Sequence, residues 1–404
     1  MSGEVARRTI LLLAPQPFFQ NRGTPIAVRL LAEELVRLGH EIHLLVFHEG
    51  ENVALPGVTL HRIPALPGIR DIPPSLSAKK VVCDVAMLFS AIRLMRRHHF
   101  DLIHAVEEAA FLAMALRLMF TVPYVYDMDS SLARQVVEKV PALKFLGPLL
   151  RFCEKRAVAA SCGVVAVCRA LEDIARTCAP GKPVLRLEDI SLLEGCPEGG
   201  EDLRRELGLE GPMMLYVGNL ERYQGIDLLL DGFHLARQRG CQGHVVLIGG
   251  TPAAIAFYRR RCVELGLSDV VHFCGPRPVE LLGHYLRQAD ILLSPRISGN
   301  NTPMKLYSYL DSGKAVLATD LPTHTQVLSA DFARLAPATA EGMAEAMADL
   351  LGDRQKCLEL GLRGRQVARD NYSLDAYRQK LQDFYGHLVA ALPPSTHSSA
   401  KARP

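Results

Sequence analysis

Residues 10–47 read ILLLAPQPFFQNRGTPIAVRLLAEELVRLGHEIHLLVF. Ile10 to Ala14 is an unbroken apolar run closed by Pro15, which predicts a first buried strand. Pro25 to Leu38 sets Ile26, Leu30, Leu31, Leu35 and Leu38 on or near one helical face and stops at Gly39, so it predicts a helix. Glu41 to Phe47 predicts the next strand. A strand, a loop, a helix and a second strand in succession imply a right-handed crossover between parallel neighbours.

The alternation continues outward from this unit. Asp101 to His104 and Tyr124 to Tyr126 predict short strands. Residues 191–212, rich in Gly, Glu and Pro, predict a linker. Beyond it, Met213 to Val217, His244 to Ile248, Val270 to Phe273, Ile291 to Leu293 and Ala315 to Ala318 predict strands, with a helix over Asp227 to Arg239. The fold class is α/β: two doubly wound, Rossmann-like lobes whose parallel sheets face a central cleft. They span residues 1–190 and 213–370. A C-terminal helical segment over 371–392 and a disordered tail over 393–404 follow.

Composition narrows the function. The chain has 404 residues. At about 150 residues per domain, that length suggests two or three domains. The chain is 49% hydrophobic and 22% charged. Such a chain buries a large core, which excludes disorder as the main state. Residues 1–200 hold 23 basic and 21 acidic side chains, and residues 201–404 hold 23 and 22. No half therefore has the basic excess of a general nucleic-acid binder. No stretch reaches ~18 uncharged apolar residues, so no transmembrane helix is expected. The Arg7–Pro15 segment has only a superficial likeness to a signal peptide, its apolar run being short. The ten cysteines include no Cys-x-x-Cys pair. That predicts small buried thiols in a reducing compartment rather than disulfides or zinc ligands.

In doubly wound sheets ligands bind beyond the carboxyl ends of the strands, so the loops after strands carry the functional expectations. Gln20 to Pro25 offers Gly23 for close backbone approach, Thr24 as N-cap and Pro25 as first helical residue. The helix start suits a phosphate or carboxylate; an ordinary capped turn fits equally. Val217 to Asp227 and Ile248 to Pro252, with Gly218, Gly249 and Gly250, repeat the strand–Gly–helix turn. Three such turns in two lobes point to a nucleotide-type ligand, although none has the full Gly-x-Gly-x-x-Gly or P-loop pattern.

Ser294 to Lys314 is the most unusual loop. It crowds Arg296, Asn300, Asn301, Thr302 and Lys305 near a helix start at Pro303. Asn side chains exchange hydrogen bonds with sugar hydroxyls, and Lys305 can place a point charge on a phosphate. A polar solvated loop is the alternative. In Tyr126 to Ser131, Asp127 and Asp129 can serve as acid and base, or cap a helix from Leu132; no third carboxylate adjoins, so no metal site is expected. Over residues 79–97, Val81, Val85, Leu88, Ile92 and Met95 step by 4, 3, 4 and 3 among Lys79, Lys80, Arg93, Arg96 and Arg97. This face can lie on an anionic membrane or pack with basic rims.

Over roughly residues 8–390 the chain resembles the retaining, GT-B fold glycosyltransferases of family 4. Arg22-Gly23-Thr24-Pro25-Ile26 with Leu38-Gly39-His40-Glu41-Ile42 looks like that family's glycine loop and following strand. Asp101 to Ala105, Tyr216 to Gly218 with Gln224 to Leu229, and Lys305 to Thr319 carry the rest. The chain departs from the family at Asn219, where Arg is usual, and at Gln224, where Lys is usual. The paired glutamates fall at Asn300 and Ser308, and the first-lobe histidine at Asp129.

The resemblance implies transfer of a sugar from a nucleotide-diphosphate donor to an acceptor hydroxyl of a glycan or lipid-linked precursor, without a metal or other cofactor. The donor would contact Gly218, Asn219, Arg222, Gln224, Gly249, Gly250, Arg296, Asn301, Thr302 and Ser308. Arg22, Gly23 and Thr24 would face the acceptor or a phosphate. Asp129, Lys305 and Asn300 would be catalytic. A cytoplasmic location is implied, peripheral at the inner membrane face if residues 79–97 touch lipid. The alternatives are a catalytically silent binding protein, motivated by the missing Arg, Lys and Glu, and a nucleotide-sugar epimerase.

Overall fold

The computed structural model describes residues 6–20, 23–73, 77–131, 145–193, 199–299 and 301–393. The chain divides into two compact units, residues 1–188 with 377–404 and residues 189–376.

The first unit is built on a parallel sheet ordered β3-β2-β1-β4-β5-β6-β7. Its strands are β1 (Thr9–Ala14), β2 (Glu41–Val46), β3 (Val58–Arg62), β4 (Leu102–Val106), β5 (Tyr124–Met128), β6 (Gly163–Ala166) and β7 (Val184–Arg186). Its helices begin with α1 (Gly23–Arg37), α2 (Ala78–Arg97), α3 (Ala109–Phe120), α4 (Gly147–Ala160) and α5 (Arg169–Cys178). The second unit carries the sheet β10-β9-β8-β11-β12-β13, also parallel. Its strands are β8 (Met213–Val217), β9 (His244–Ile248), β10 (Val271–Gly275), β11 (Ile291–Ser294), β12 (Ala315–Thr319) and β13 (Arg334–Ala336). Its helices are α6 (Leu203–Glu206), α7 (Ile226–Gln238), α8 (Pro252–Leu265), α9 (Leu282–Gln288), α10 (Lys305–Asp311), α11 (Pro322–Thr325), α12 (Ala340–Gly352) and α13 (Arg354–Asn371). A last helix, α14 (Leu374–Ala390), joins the first unit from Tyr377 on.

The strands most legible in sequence are the central ones. A central parallel strand is covered on both faces, so it reads as an unbroken apolar run. Ile10 to Ala14 and Met213 to Tyr216 are all buried. The edge strands β3, β7 and β13 lack that signature, and they and the short inner strand β6 are additions to the predicted set. The predicted linker 191–212 is not a free connector. Leu203 and Leu209 are buried in the second unit's core, and Asp202 caps α6 through a hydrogen bond from the Arg205 N–H. Residues 194–198 and the tail 394–404 lie outside the described residues.

Helix α14, expected after a completed second lobe, is instead part of the first unit's core. Leu381, Tyr385 and Val389 are buried, and a Cβ at Gly163 would come within 2.8 Å of Leu388 and Phe384. Arg378 donates to both Glu34 oxygens, and Lys380 Nζ lies 2.8 Å from Glu188. Burial alone would raise the Glu34 pKa, but Arg378 and Arg37 outweigh it and hold the carboxyl low.

Helix α2 also differs from its predicted orientation. Cys83, Met87 and Ala91 face the core together with Lys80. Lys80 is therefore not a surface cation: its ammonium meets Glu108 at 2.5 Å and Glu107 at 3.6 Å. Of the predicted apolar face, Leu88, Ile92 and Met95 are half-buried, whereas Val81 and Val85 are 49% and 51% exposed.

Both units bury neutral histidines. His43 Nδ1 lies 3.0 Å from His61 Nε2, and burial lowers both pKa values. Burial takes His40 and His324 down to about 4 from 6.5. Their folded pKa values lie below the unfolded one, so their contribution is complete above pH 6.5 and is lost as pH falls toward 4. His40 and His324 contribute up to about 3 kcal/mol each. Below pH 6.5 the melting temperature of the wild type should fall relative to that of a His324→Gln variant, as read by calorimetry; parallel profiles of the two proteins down to pH 4.5 would contradict this.

Candidate active site

In the second unit, three turns meet at the carboxyl edge of β8, β9 and β11. Gly249 has φ +111°, and a Cβ there would lie 2.2 Å from the Gly218 carbonyl oxygen. Gly225 has φ +74°, and a Cβ there would lie 2.0 Å from the Pro295 carbonyl oxygen. Both positions need glycine for conformation and for space. The turns after all three strands are thereby in backbone contact.

Lys305, at the start of α10, points at this junction. The residue is half-buried over its length, but its ammonium lies in the protein, 3.8 Å from the Tyr216 ring centroid and 3.4 Å from Gln224 Oε1. A Cβ on Gly218 would be 3.4 Å from Lys305 Nζ. Arg296 is buried. It donates to the Asn301 carbonyl at 2.9 Å and to Thr323 Oγ1 at 3.0 Å, and stacks its guanidinium 5.0 Å from the Tyr223 ring centroid. Among the described residues neither cation has a carboxylate within 4.0 Å. Desolvation, and then the Arg296 charge, push the Lys305 pKa well below 10.5. Burial likewise lowers that of Arg296. Two neighbouring cations without a counter-charge have the chemistry to receive an anion. Arg296 Nε and Thr302 Oγ1 are buried on the same loop with no partner among the described residues.

The 296 loop is supported from below. The His324 ring donates from Nδ1 to the Thr319 carbonyl at 2.9 Å and accepts from Ser294 Oγ at 2.9 Å. Thr319 Oγ1 donates to the Arg296 carbonyl at 2.5 Å. Thr323 and His324 were not among the predicted site residues, although they follow β12 and the rule of loops after strands reaches them. Tyr216 and Tyr309 were missed because both lie in core-like runs; the Tyr309 hydroxyl accepts from the Val217 N–H at 2.8 Å.

The other predicted donor residues are placed as follows. Asn219 is exposed, and its Oδ1 accepts from the Glu221 N–H at 3.3 Å, an Asx-type turn. Arg222 is exposed, Gln224 is buried against Lys305, and Gly250 follows Gly249 before α8. Ser308 is fully buried and accepts from the Leu192 N–H at 2.9 Å. Asn301 and Thr302 flank the loop end; Asn300 lies outside the described residues.

In the first unit, α1 begins at Gly23, so Thr24 and Pro25 fall inside its first turn rather than at the cap. A Cβ on Gly23 would meet open space. Arg22 lies outside the described residues. Asp127 and Asp129 sit at the carboxyl end of β5, both half-buried. Asp127 Oδ2 lies 3.0 Å from His104 Nε2, and His104 Nδ1 lies 2.5 Å from the Tyr385 hydroxyl of α14. Beside them, Glu107 has a positive φ of 50°. That is a strained conformation for a side chain of its size. Its carboxyl is raised by burial, an effect that outweighs Lys80. Asp84 is raised to about 8 by burial and then by Glu108.

The two parallel-sheet units define a Rossmann-like protein of the GT-B class. Residues 22–184 match the family described as Glycosyltransferase Family 4, and residues 211–353 match Glycosyl transferases group 1. The chain belongs to these glycosyltransferases. It is 30% identical over 224 residues to a D-inositol 3-phosphate glycosyltransferase of Corynebacterium efficiens, covering 50% of each chain. The chain thus spans about half the length of the first curated relatives it matches. It is 26% identical over 376 residues to a phosphatidyl-myo-inositol mannosyltransferase of Mycolicibacterium smegmatis, covering 91% of this chain and 89% of the relative. The fold is shared with a sucrose-phosphate synthase from Thermosynechococcus elongatus, at TM-score 0.78 and 19% identity, covering 95% of this chain and all of the other.

Removing the unpaired charge separates stability from binding. Lys305→Met keeps the packing on Tyr216 and deletes a desolvated ammonium, so the ligand-free protein should melt higher, by about 2–4 °C for each kcal/mol recovered in a domain of this size. A lower melting temperature would mean that Lys305 has a structural partner.

Proposed function

We propose that the protein transfers a sugar from a nucleotide-diphosphate sugar to an acceptor hydroxyl, with retention of anomeric configuration and without a metal ion. The observation that carries this reading is the pair Arg296 and Lys305, two cations without a carboxylate among the described residues: Lys305 points at the Gly218 turn, where a diphosphate would lie, and feels the charge of the buried Arg296 on the neighbouring loop. In the reaction the acceptor oxygen bonds to the anomeric carbon, the bond from that carbon to the diphosphate oxygen breaks, and the acceptor proton passes to a base. Arg296 and Lys305 stabilise the charge that develops on the leaving diphosphate. They stand in for the positive charge missing at Asn219 and Gln224. Asp129 is proposed to orient or deprotonate the acceptor hydroxyl.

The acceptor is proposed to be a glycan or lipid-linked precursor met in the cytoplasm or at the inner membrane face. The names of the two relatives make inositol phosphates and phosphatidylinositol the first acceptors to assay. No nucleic-acid partner is proposed.

A thermal-shift series with UDP, GDP, ADP and their sugar conjugates, with and without EDTA, tests the donor site. One nucleotide should stabilise the protein by about 2.7 kcal/mol at 100 times its Kd, EDTA should not alter the shift, and Lys305→Met should abolish it. Binding favours charged Lys305, whose free pKa is lowered. Affinity should therefore fall as pH rises through that pKa, with proton uptake seen by calorimetry in buffers of different ionisation heat. No shift with any nucleotide would favour the silent binding protein. A donor shift with sugar isomerisation in the absence of acceptor would favour the epimerase. Asp129→Asn should lower turnover by about 10²–10⁴-fold if Asp129 is the base; unchanged turnover removes it from that role.

A further inference from the structure

The chain crosses between the two units twice, at residues 188–189 and at 376–377. On the second unit's side both crossings are fastened to the same short helix, α10 (Lys305–Asp311). At about 100° per residue its side chains part into three directions. Lys305 and Tyr309, one turn apart, face the β8 turn: the ammonium lies over the Tyr216 ring and the Tyr309 hydroxyl accepts from the Val217 N–H. Ser308 and Asp311, also one turn apart, face the outgoing crossing. Tyr307 faces the returning one.

The outgoing crossing is bonded residue by residue. Ser191 Oγ donates to Asp311 Oδ2 at 2.6 Å, and the Leu192 N–H donates to Ser308 Oγ at 2.9 Å. The Leu193 N–H donates back to Ser191 Oγ at 3.2 Å. Just upstream, Glu188 is held within the first unit by Arg186 Nε at 2.7 Å and Lys380 Nζ at 2.8 Å. Only Asp189 and Ile190 separate these two anchors. In the returning crossing the Tyr372 ring meets the Tyr307 ring edge-on, with centroids 5.0 Å apart. Ser308, where the resemblance sets a donor contact, is fully buried, and its hydroxyl is engaged by the crossing chain. A buried N–H left without an acceptor is costly, so α10 and residues 191–193 shift together or lose the bond.

We propose that Ser308 and Asp311 are positioning residues for the anion junction: they fasten the 191–193 segment to α10, and through α10 they set where the Lys305 ammonium stands. Coupling of this kind is reciprocal. An anion that fixes Lys305 also steadies the 191–193 segment, and loosening that segment weakens anion binding. The inference rests on the transferase reading for the identity of the anion, a nucleoside diphosphate.

Hydrogen exchange on the full chain, with and without UDP, GDP, ADP or inorganic pyrophosphate, tests it. A diphosphate that raises the melting temperature should slow exchange of the Leu192 and Leu193 N–H groups. Ser308→Ala and Asp311→Ala should each raise the Kd for that diphosphate about fivefold or more, the low end of ordinary coupling between sites. Both should also uncouple exchange at 191–193 from binding. Asp311→Asn keeps an oxygen for Ser191 and should bind as the wild type does. Leu350→Ala empties a buried position on α12 and lowers stability without touching α10; its Kd should be unchanged, which separates positioning from a general loss of stability. Unchanged exchange at 191–193 in a protein that binds the diphosphate, a wild-type Kd in both alanine variants, or equal weakening by Leu350→Ala would each overturn the proposal and leave the transferase reading standing. Binding of none of the four anions would overturn both.

Discussion

The second unit depends on how closely its strand ends approach one another. Parallel pairing of β8 with β9 and of β8 with β11 delivers three turns to one edge. Gly249 against Gly218, and Gly225 against Pro295, let those turns touch backbone to backbone. A side chain at either glycine would drive the turns apart and withdraw the junction at which Lys305 points. The packing of the core thus leads directly to the placement of charge. Tyr216 and Tyr309 come from the core, yet one carries the ammonium on its ring and the other holds the start of the Gly218 turn.

The charge itself is left unbalanced. A lysine in a desolvated position ordinarily acquires a carboxylate, as Lys80 does from Glu107 and Glu108. Lys305 and Arg296 acquire none among the described residues, and their pKa values fall in consequence. The contrast within one chain separates a buried lysine whose pKa its acids raise from one whose pKa burial lowers with no acid nearby among the described residues. In the proposed reading the positive charge absent at Asn219 and Gln224 comes from Arg296 and Lys305, with Gln224 as a neutral neighbour of Lys305.

The first unit places its polar groups at the carboxyl end of β4 and β5, and they are tied to the far end of the chain. Tyr385, His104 and Asp127 form a hydrogen-bonded series from α14 through β4 to β5. The rigidity of Asp127 therefore rests on a helix that follows the whole second unit in sequence. Glu34 with Arg378 and Glu188 with Lys380 hold that helix from two other directions.

The central strands and the glycine turns were legible in the amino-acid sequence, because a strand covered on both faces must be apolar along its length and a turn at positive φ selects glycine. The polar loops after strands were legible for the same local reason. Tertiary structure decided the rest. Which side of α2 faces the core depends on α3 and the sheet, so Lys80 is buried while Val85 is exposed. The absence of a carboxylate near Lys305, the series from Tyr385 to Asp127 and the return of α14 all join residues far apart in the chain. Local periodicity carries no information about such pairings, because it records what a segment can bury and not what it will be buried against.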